Sequence, residues 1–343
     1  MNARRPEATA TATGIAPRHA MHFTRAEIAA AQRTVYAAMP PTPQYAWPLL
    51  GERLGCTLWA KHENHTPVGA FKIRGGLCYI DTLVRELPEV RHVISATRGN
   101  HGQSIGFAAR RHGLAATIVV PHGNSVEKNA AMRALGVQLV EHGDDFQAAS
   151  DHAGRLATEQ GLHRVPSFAR DLVRGVATYW VEFFEALQQA GQVPDVVFVP
   201  IGLGSGFAGA AVARAHCGVS TRLVGVVSAH ATAYRDSFLA GHTLDAPVST
   251  HLADGMACRT PVPEALDVLL QEADEVVTVS DDEVAAAMRA LFTDTHNVAE
   301  GAGAAALAAA MQQRERWRGH TVGVTVSGGN VDAGMFAGVL AAR

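Results

Sequence analysis

From about residue 90 onward the chain alternates short apolar runs with stretches whose apolar residues recur every three or four positions. The run at 92–95 precedes 103–112, that at 116–120 precedes 125–135, and that at 137–141 precedes 144–159. Short apolar runs followed by amphipathic stretches predict buried strands joined by helical crossovers. A second series has the same form: 195–200 then 206–216, 222–228, 275–280 then 281–293, and 321–327. The expected architecture is α/β, with two doubly wound, mostly parallel sheets carrying helices on both faces. Helix-end chemistry agrees. Ser280, ahead of Asp281, Asp282 and Glu283, supplies an N-cap and early acids, and Gly113, Gly136 and Gly161 each follow a helical stretch as a C-terminal stop. The Ala-rich stretch 302–311 reads as a buried helix. Residues before 88 are less regular, because Pro40, Pro41, Pro43 and Pro48 interrupt them; within that portion 56–61 predicts a strand.

Composition narrows the class. With 48% apolar and 18% charged residues in 343, the profile is globular rather than disordered. A net charge of −3 without a basic block argues against nucleic acid as a partner. No apolar run approaches the roughly 18 residues of a membrane span. Cys56, Cys78, Cys217 and Cys258 form no C-x-x-C pair, which argues against a zinc site and a disulfide framework and fits a reducing, cytoplasmic compartment. The first twenty residues mix Arg and Thr with Ala and lack the apolar centre of a secretory signal. A disordered tail is expected there, with a transit peptide as the alternative.

Four segments carry candidate chemistry. Val196 to Pro200 runs into Ile201-Gly202-Leu203-Gly204-Ser205-Gly206, where glycines and a helix N-terminus would let backbone N–H groups cradle a phosphate; a tight strand-to-helix turn needs the same glycines. No Lys-Ser/Thr follows, so this is no Walker loop. Thr97-Arg98-Gly99-Asn100-His101-Gly102-Gln103 also leaves a strand and opens a helix, so it would receive a carboxylate or simply be a capped turn. In Gly69-Ala70-Phe71-Lys72-Ile73-Arg74-Gly75-Gly76 a lysine sits among apolar and small residues. Desolvation there would lower its pKa and make it a Schiff-base nucleophile, whereas a surface lysine would stay charged. Lastly, 324–326 ends in Ser327-Gly328-Gly329-Asn330, a ligand-facing serine or a turn cap. All four fall near the C-terminal ends of expected strands, where open α/β sheets bind ligands.

In this order and at this spacing the segments resemble the fold-type II pyridoxal-phosphate enzymes, which share the tryptophan synthase β architecture, and most closely their serine/threonine dehydratase and serine racemase branch. The likeness covers roughly residues 40–335. It implies that Lys72, beside Phe71, is the Schiff-base lysine, that Asn100 bonds the ring hydroxyl, and that Thr97, Arg98, Gly99, Asn100 and His101 meet the substrate carboxylate. It further implies that Gly202, Leu203, Gly204, Ser205 and Gly206 hold the phosphate, that Ser327 faces the pyridine nitrogen, and that Glu300 lies beside the ring, with Ala253 to Ala257 a further match. The implied organisation is a large cofactor-binding domain of 21–88 and 168–343, a smaller substrate-binding domain of 89–167 inserted in it, and a homodimer.

The implied reaction is dehydration and deamination of an L-β-hydroxy amino acid such as threonine, serine, phenylserine or 3-hydroxyaspartate, giving a 2-oxo acid and ammonia. β-Replacement and a silent ligand-binding regulator are the alternatives; His101 matches the dehydratases rather than the replacement enzymes. A neutral Ser327 hydroxyl cannot keep a proton on the ring nitrogen as an aspartate would, which should favour prompt loss of a β leaving group. Where the racemases carry a second serine as base, this chain has Arg98, whose guanidinium cannot take that role, so weak racemisation is expected. Ser228 and Tyr234 stand where the family places acidic cation ligands, so no divalent metal is expected. No regulatory domain is expected after the catalytic one, since the chain ends at Arg343. Gly69 and Ala70 suggest room beside the β-substituent, and Arg98 offers a partner for a distal carboxylate. His62 and His65 lie three apart near Lys72, with no third metal ligand set by spacing.

Overall fold

The computed structural model describes residues 21–342, so the expected tail at 1–20 lies outside the described residues. The strands are β1 (Gln44–Ala46), β2 (Thr57–His62), β3 (His92–Ala96), β4 (Ala115–Val120), β5 (Gln138–Glu141), β6 (His163–Arg164), β7 (Val196–Pro200), β8 (Arg222–Ser228), β9 (Glu275–Val279) and β10 (Thr321–Val326). They form a six-stranded sheet ordered β1-β2-β10-β7-β8-β9 and a four-stranded sheet ordered β5-β4-β3-β6. Among the paired strands of the described residues, only β1 and β2 run antiparallel. This is the α/β, mostly parallel fold expected from the sequence.

Alternate residues of single strands enter different cores, so both sheet faces are covered. Val196, Phe198, Val224, Val226 and Val277 pack in one cluster, while Val197, Val199, Leu223, Val227 and Val276 pack in another. In the smaller sheet Val93 and Ile118 face one cluster, and Ile94 and Val119 face the other. Ser280 caps helix Asp281–Thr295 in a reciprocal box with Glu283, as its sequence predicts.

The proline-interrupted N-terminal portion holds the short helix Pro48–Leu54 and two longer ones, Arg25–Tyr36 and Lys72–Glu86, beyond the elements expected from the sequence. The last is anchored by Arg74, which is fully buried between Glu63 (2.7 Å) and Glu182, with Lys61 completing the group at 2.7 Å from Glu182. Two cations and two anions balance there, which is the condition for burying charge. The same helix meets helix Arg170–Gln189 almost backbone to backbone: a Cβ on Gly175 would lie 2.1 Å from the Arg74 carbonyl oxygen. Gly175→Ala is therefore expected to force the helices apart at the turn bearing residue 72. A loss of about 1–3 kcal/mol should appear as a lower thermal midpoint, and an unchanged midpoint would refute the contact.

Candidate active site

Lys72 is the first residue of helix Lys72–Glu86. Its position follows from the loop before it. Phe71 N–H donates to the Ser327 carbonyl (3.0 Å) and Gly329 N–H to the Gly69 carbonyl (2.9 Å), while Ala70 and Gly328 form an antiparallel bridge. The loop carrying Lys72 and the loop leaving β10 are thus stitched together. Lys72 lines a cavity and donates from Nζ to Ser205 Oγ at 3.0 Å. No acidic side chain pairs with it among the described residues, and burial pushes its pKa down to about 8. That is the direction needed for a lysine that must present a neutral amine.

Every site residue expected from the sequence lines this one cavity: Phe71, Lys72, Thr97, Arg98, Gly99, Asn100, His101, Gly202, Leu203, Gly204, Ser205, Gly206, Glu300 and Ser327. Helix Ser205–Cys217 starts after Gly204, whose φ of 96° favours glycine, and no side chain caps it. Its first N–H groups therefore lack intrahelical acceptors. Ser327 Oγ has only a long contact of 3.4 Å to the Ala302 carbonyl, so its hydroxyl is loosely committed.

The segment after β3 is more tightly held than a free loop. Asn100 and His101 are the first two residues of helix Asn100–Arg111, as a segment that leaves a strand and opens a helix predicts. His101 is buried, its Nε2 has no partner, and burial, followed by the charge of Lys72, holds its pKa down to about 3. It is a neutral imidazole, with no charge to offer a carboxylate. Asn100 donates to Glu300 Oε1 and accepts from Asn330 Nδ2 at 2.8 Å. Glu300 is held from its other oxygen by Lys128 Nζ at 3.0 Å, and Lys128 also reaches Asp254 at 2.8 Å. Burial raises the Glu300 carboxyl, against the pull of Lys128. Gly99, with φ 154°, lets the Lys128 stem pass: a Cβ there would lie 2.4 Å from Lys128 Cδ.

Lys128 lies outside every segment that the sequence singles out, whereas Asp254 and Asn330 lie in two of them, 253–257 and 327–330, without a role of their own. The available signal is Lys128 itself, a cation in the first turn of helix Val126–Ala134, the end that disfavours positive charge. Ser228 Oγ accepts from His230 N–H (3.1 Å) and Tyr234 Oη from Val262 N–H (3.1 Å). The His62 and His65 rings lie 5.2 Å apart but bond separate partners, Trp47 (2.9 Å) and Asn297 (2.7 Å).

A family model described as pyridoxal-phosphate dependent enzyme matches residues 35–328. The chain belongs to this family. It is 33% identical over 300 residues to the biosynthetic L-threonine dehydratase of Salmonella typhimurium, covering 87% of this chain and 58% of that protein. It is 36% identical over 285 residues to an L-threonine ammonia-lyase of Geobacter sulfurreducens, covering 82% and 69%. The chain thus spans less than two thirds of the length of the first of these relatives. The structure resembles the processed form of threonine deaminase isoform 2 from Solanum lycopersicum, with a TM-score of 0.82, 26% identity and 98% and 99% of the two chains covered.

The residues present fit the family's cofactor, pyridoxal phosphate. A cavity-facing lysine has no acid partner and a lowered pKa, and an uncapped helix start follows the glycine-rich turn on the same wall. An amine to tether an aldehyde and N–H groups to receive a phosphate are the two demands such a cofactor makes.

Proposed function

We propose that the chain eliminates the β-hydroxyl of an L-β-hydroxy amino acid, releasing a 2-oxo acid and ammonia. The observation that carries this reading is Lys72, a cavity lysine with no acid partner and a pKa near 8, 3.0 Å from Ser205 Oγ. When bound, pyridoxal phosphate supplies an electron sink for the bond breaking at the substrate α-carbon. Lys72 would tether the cofactor, and its Nζ, once free, would take the α-proton. Phe71, the turn 202–206, Asn100, Glu300 and Ser327, which line the same cavity, would hold the cofactor. The N–H groups that open helix Asn100–Arg111 receive the substrate α-carboxylate, with Thr97 shaping the turn by accepting from Gly99 N–H at 2.9 Å. Water is lost with the hydroxyl and regained when ammonia leaves, so the net products are one 2-oxo acid and one ammonia.

The division into 21–88 with 168–343, and 89–167 between them, follows the two sheets and would let the smaller part close on substrate. Among the described residues no helix is long and apolar enough to cross a membrane. With the four cysteines free, a cytoplasmic enzyme is the reading we favour. A homodimer is supported by helix Ala333–Ala341, which exposes Met335 and Leu340 while burying Val339.

The test is a panel of threonine, serine, phenylserine and 3-hydroxyaspartate assayed for 2-oxo acid and ammonia in equal amounts. No product from any of them would remove the elimination reading.

A further inference from the structure

Arg98 lines the cavity, and its Nε is buried without a partner. Among the described residues no hydrogen bond or ion pair engages its guanidinium. The residue is half-buried, but a buried guanidinium N–H is ordinarily hydrogen-bonded, and the cavity's acids are not available to it. Asp254 and Glu300, the carboxylates on its wall, are both held by Lys128. Two of the anions that the elimination reading brings to this cavity already have receivers, the phosphate at 202–206 and the α-carboxylate at the start of helix Asn100–Arg111. Arg98 offers a third place for an anion, with a fork that matches a carboxylate in two parallel hydrogen bonds.

We propose that Arg98 is the specificity-determining residue for a second, distal carboxylate, and that the preferred substrate class is a β-hydroxy amino dicarboxylic acid, of which 3-hydroxyaspartate is the smallest. This rests on the elimination reading. The net step is balanced: 3-hydroxyaspartate gives oxaloacetate and ammonia, the water lost with the hydroxyl returning at the imine carbon. Neither an oxidant nor a reductant is required. Threonine carries a methyl group where this class carries the carboxylate, so it would leave the guanidinium unpaired.

The experiment compares kcat/KM for 3-hydroxyaspartate and threonine in the cofactor-loaded enzyme, Arg98→Lys and Arg98→Ala. The wild-type enzyme should prefer the dicarboxylic substrate. Arg98→Ala should lower the ratio of the two values by roughly 100-fold, chiefly through KM for 3-hydroxyaspartate, with Arg98→Lys between because it keeps charge but not the fork. Equal losses on both substrates would place Arg98 on the shared α-carboxylate and overturn the assignment, as would an unmoved ratio. Binding supplies a readout independent of turnover. Malate and 3-hydroxybutyrate are the deaminated counterparts of the two substrates. Malate alone should raise the thermal midpoint of the wild-type holoenzyme, and the difference should vanish in Arg98→Ala. Equal shifts from both ligands would overturn the proposal even if a variant failed to fold. If no substrate yields a 2-oxo acid, the elimination reading falls, and the malate comparison still decides the role of Arg98.

Discussion

Lys72→Ala is expected to lower 2-oxo acid release by a factor on the order of 10⁴, since it removes both the cofactor tether and the base at the α-carbon. The same side chain predicts an opposite effect on stability. Burial lowers the Lys72 pKa from 10.5 to about 8, so between those values the folded apoprotein binds fewer protons than the unfolded chain. Its stability therefore rises with pH across that window, and below pH 8 the cost of burying the ammonium is fully present. With allowance for the partial exposure of Lys72, that cost is on the order of 2 kcal/mol. Lys72→Met should accordingly raise the thermal midpoint of the apoprotein at pH 7 by a few degrees, with the gain fading above about pH 10. Cofactor uptake by the wild-type apoprotein, which needs the neutral amine, should be half-maximal near pH 8. A variant that loses activity without gaining stability at pH 7, together with pH-independent uptake, would show that the lysine is not held in the desolvated setting described.

Most of this arrangement is legible in the sequence, because strands and glycine turns write local signals. The apolar runs that become β3, β4, β7, β8, β9 and β10 are continuous, being buried on both faces, and the turns leaving β3, β7 and β10 carry the residues that meet at the cavity. Helix Lys72–Glu86 is marked less plainly, although Ile73, Leu77, Ile80 and Leu83 recur at helical spacing. Arg74, Gly75 and Gly76 are buried beside them, so a charge and two glycines interrupt the apolar pattern in the first turn, where the helix begins. Arg74 is tolerable there only because Glu63 and Glu182, distant in sequence, close on it. Lys128 is unmarked in the sequence for the same reason. It looks like a surface residue until Asp254 and Glu300 arrive from the far side of the fold, and such pairings are properties of tertiary structure alone.

Lys128→Met is expected to destabilise the protein by about 3–5 kcal/mol at neutral pH, because removing one member of a buried ionic group strands the others. Glu300 is the group stranded. Its side chain is 3% exposed, its carboxyl already lies above its usual value through burial, and Lys128 is the cation opposing that rise. Asp254, with a side chain 29% exposed, has recourse to solvent and contributes less. The pH dependence has a definite sign. Without Lys128 the folded-state pKa of Glu300 rises further above 4.5, so the protonated folded form is favoured. The deficit relative to wild type should shrink as pH falls towards 5 and be largest at and above neutrality. Adding Glu300→Gln removes the stranded charge while keeping an oxygen for Asn100, so Lys128→Met/Glu300→Gln should be more stable at pH 8 than Lys128→Met alone. A double-mutant cycle on thermal midpoints at pH 5 and pH 8 measures this directly. Additive losses, equal at the two pH values, would mean that Lys128 and Glu300 do not act as a pair. Coupling confined to high pH would identify their ion pair as the tie between helix Val126–Ala134 and the wall that carries Glu300, and thus as the contact that sets where Asn100 stands over the cavity.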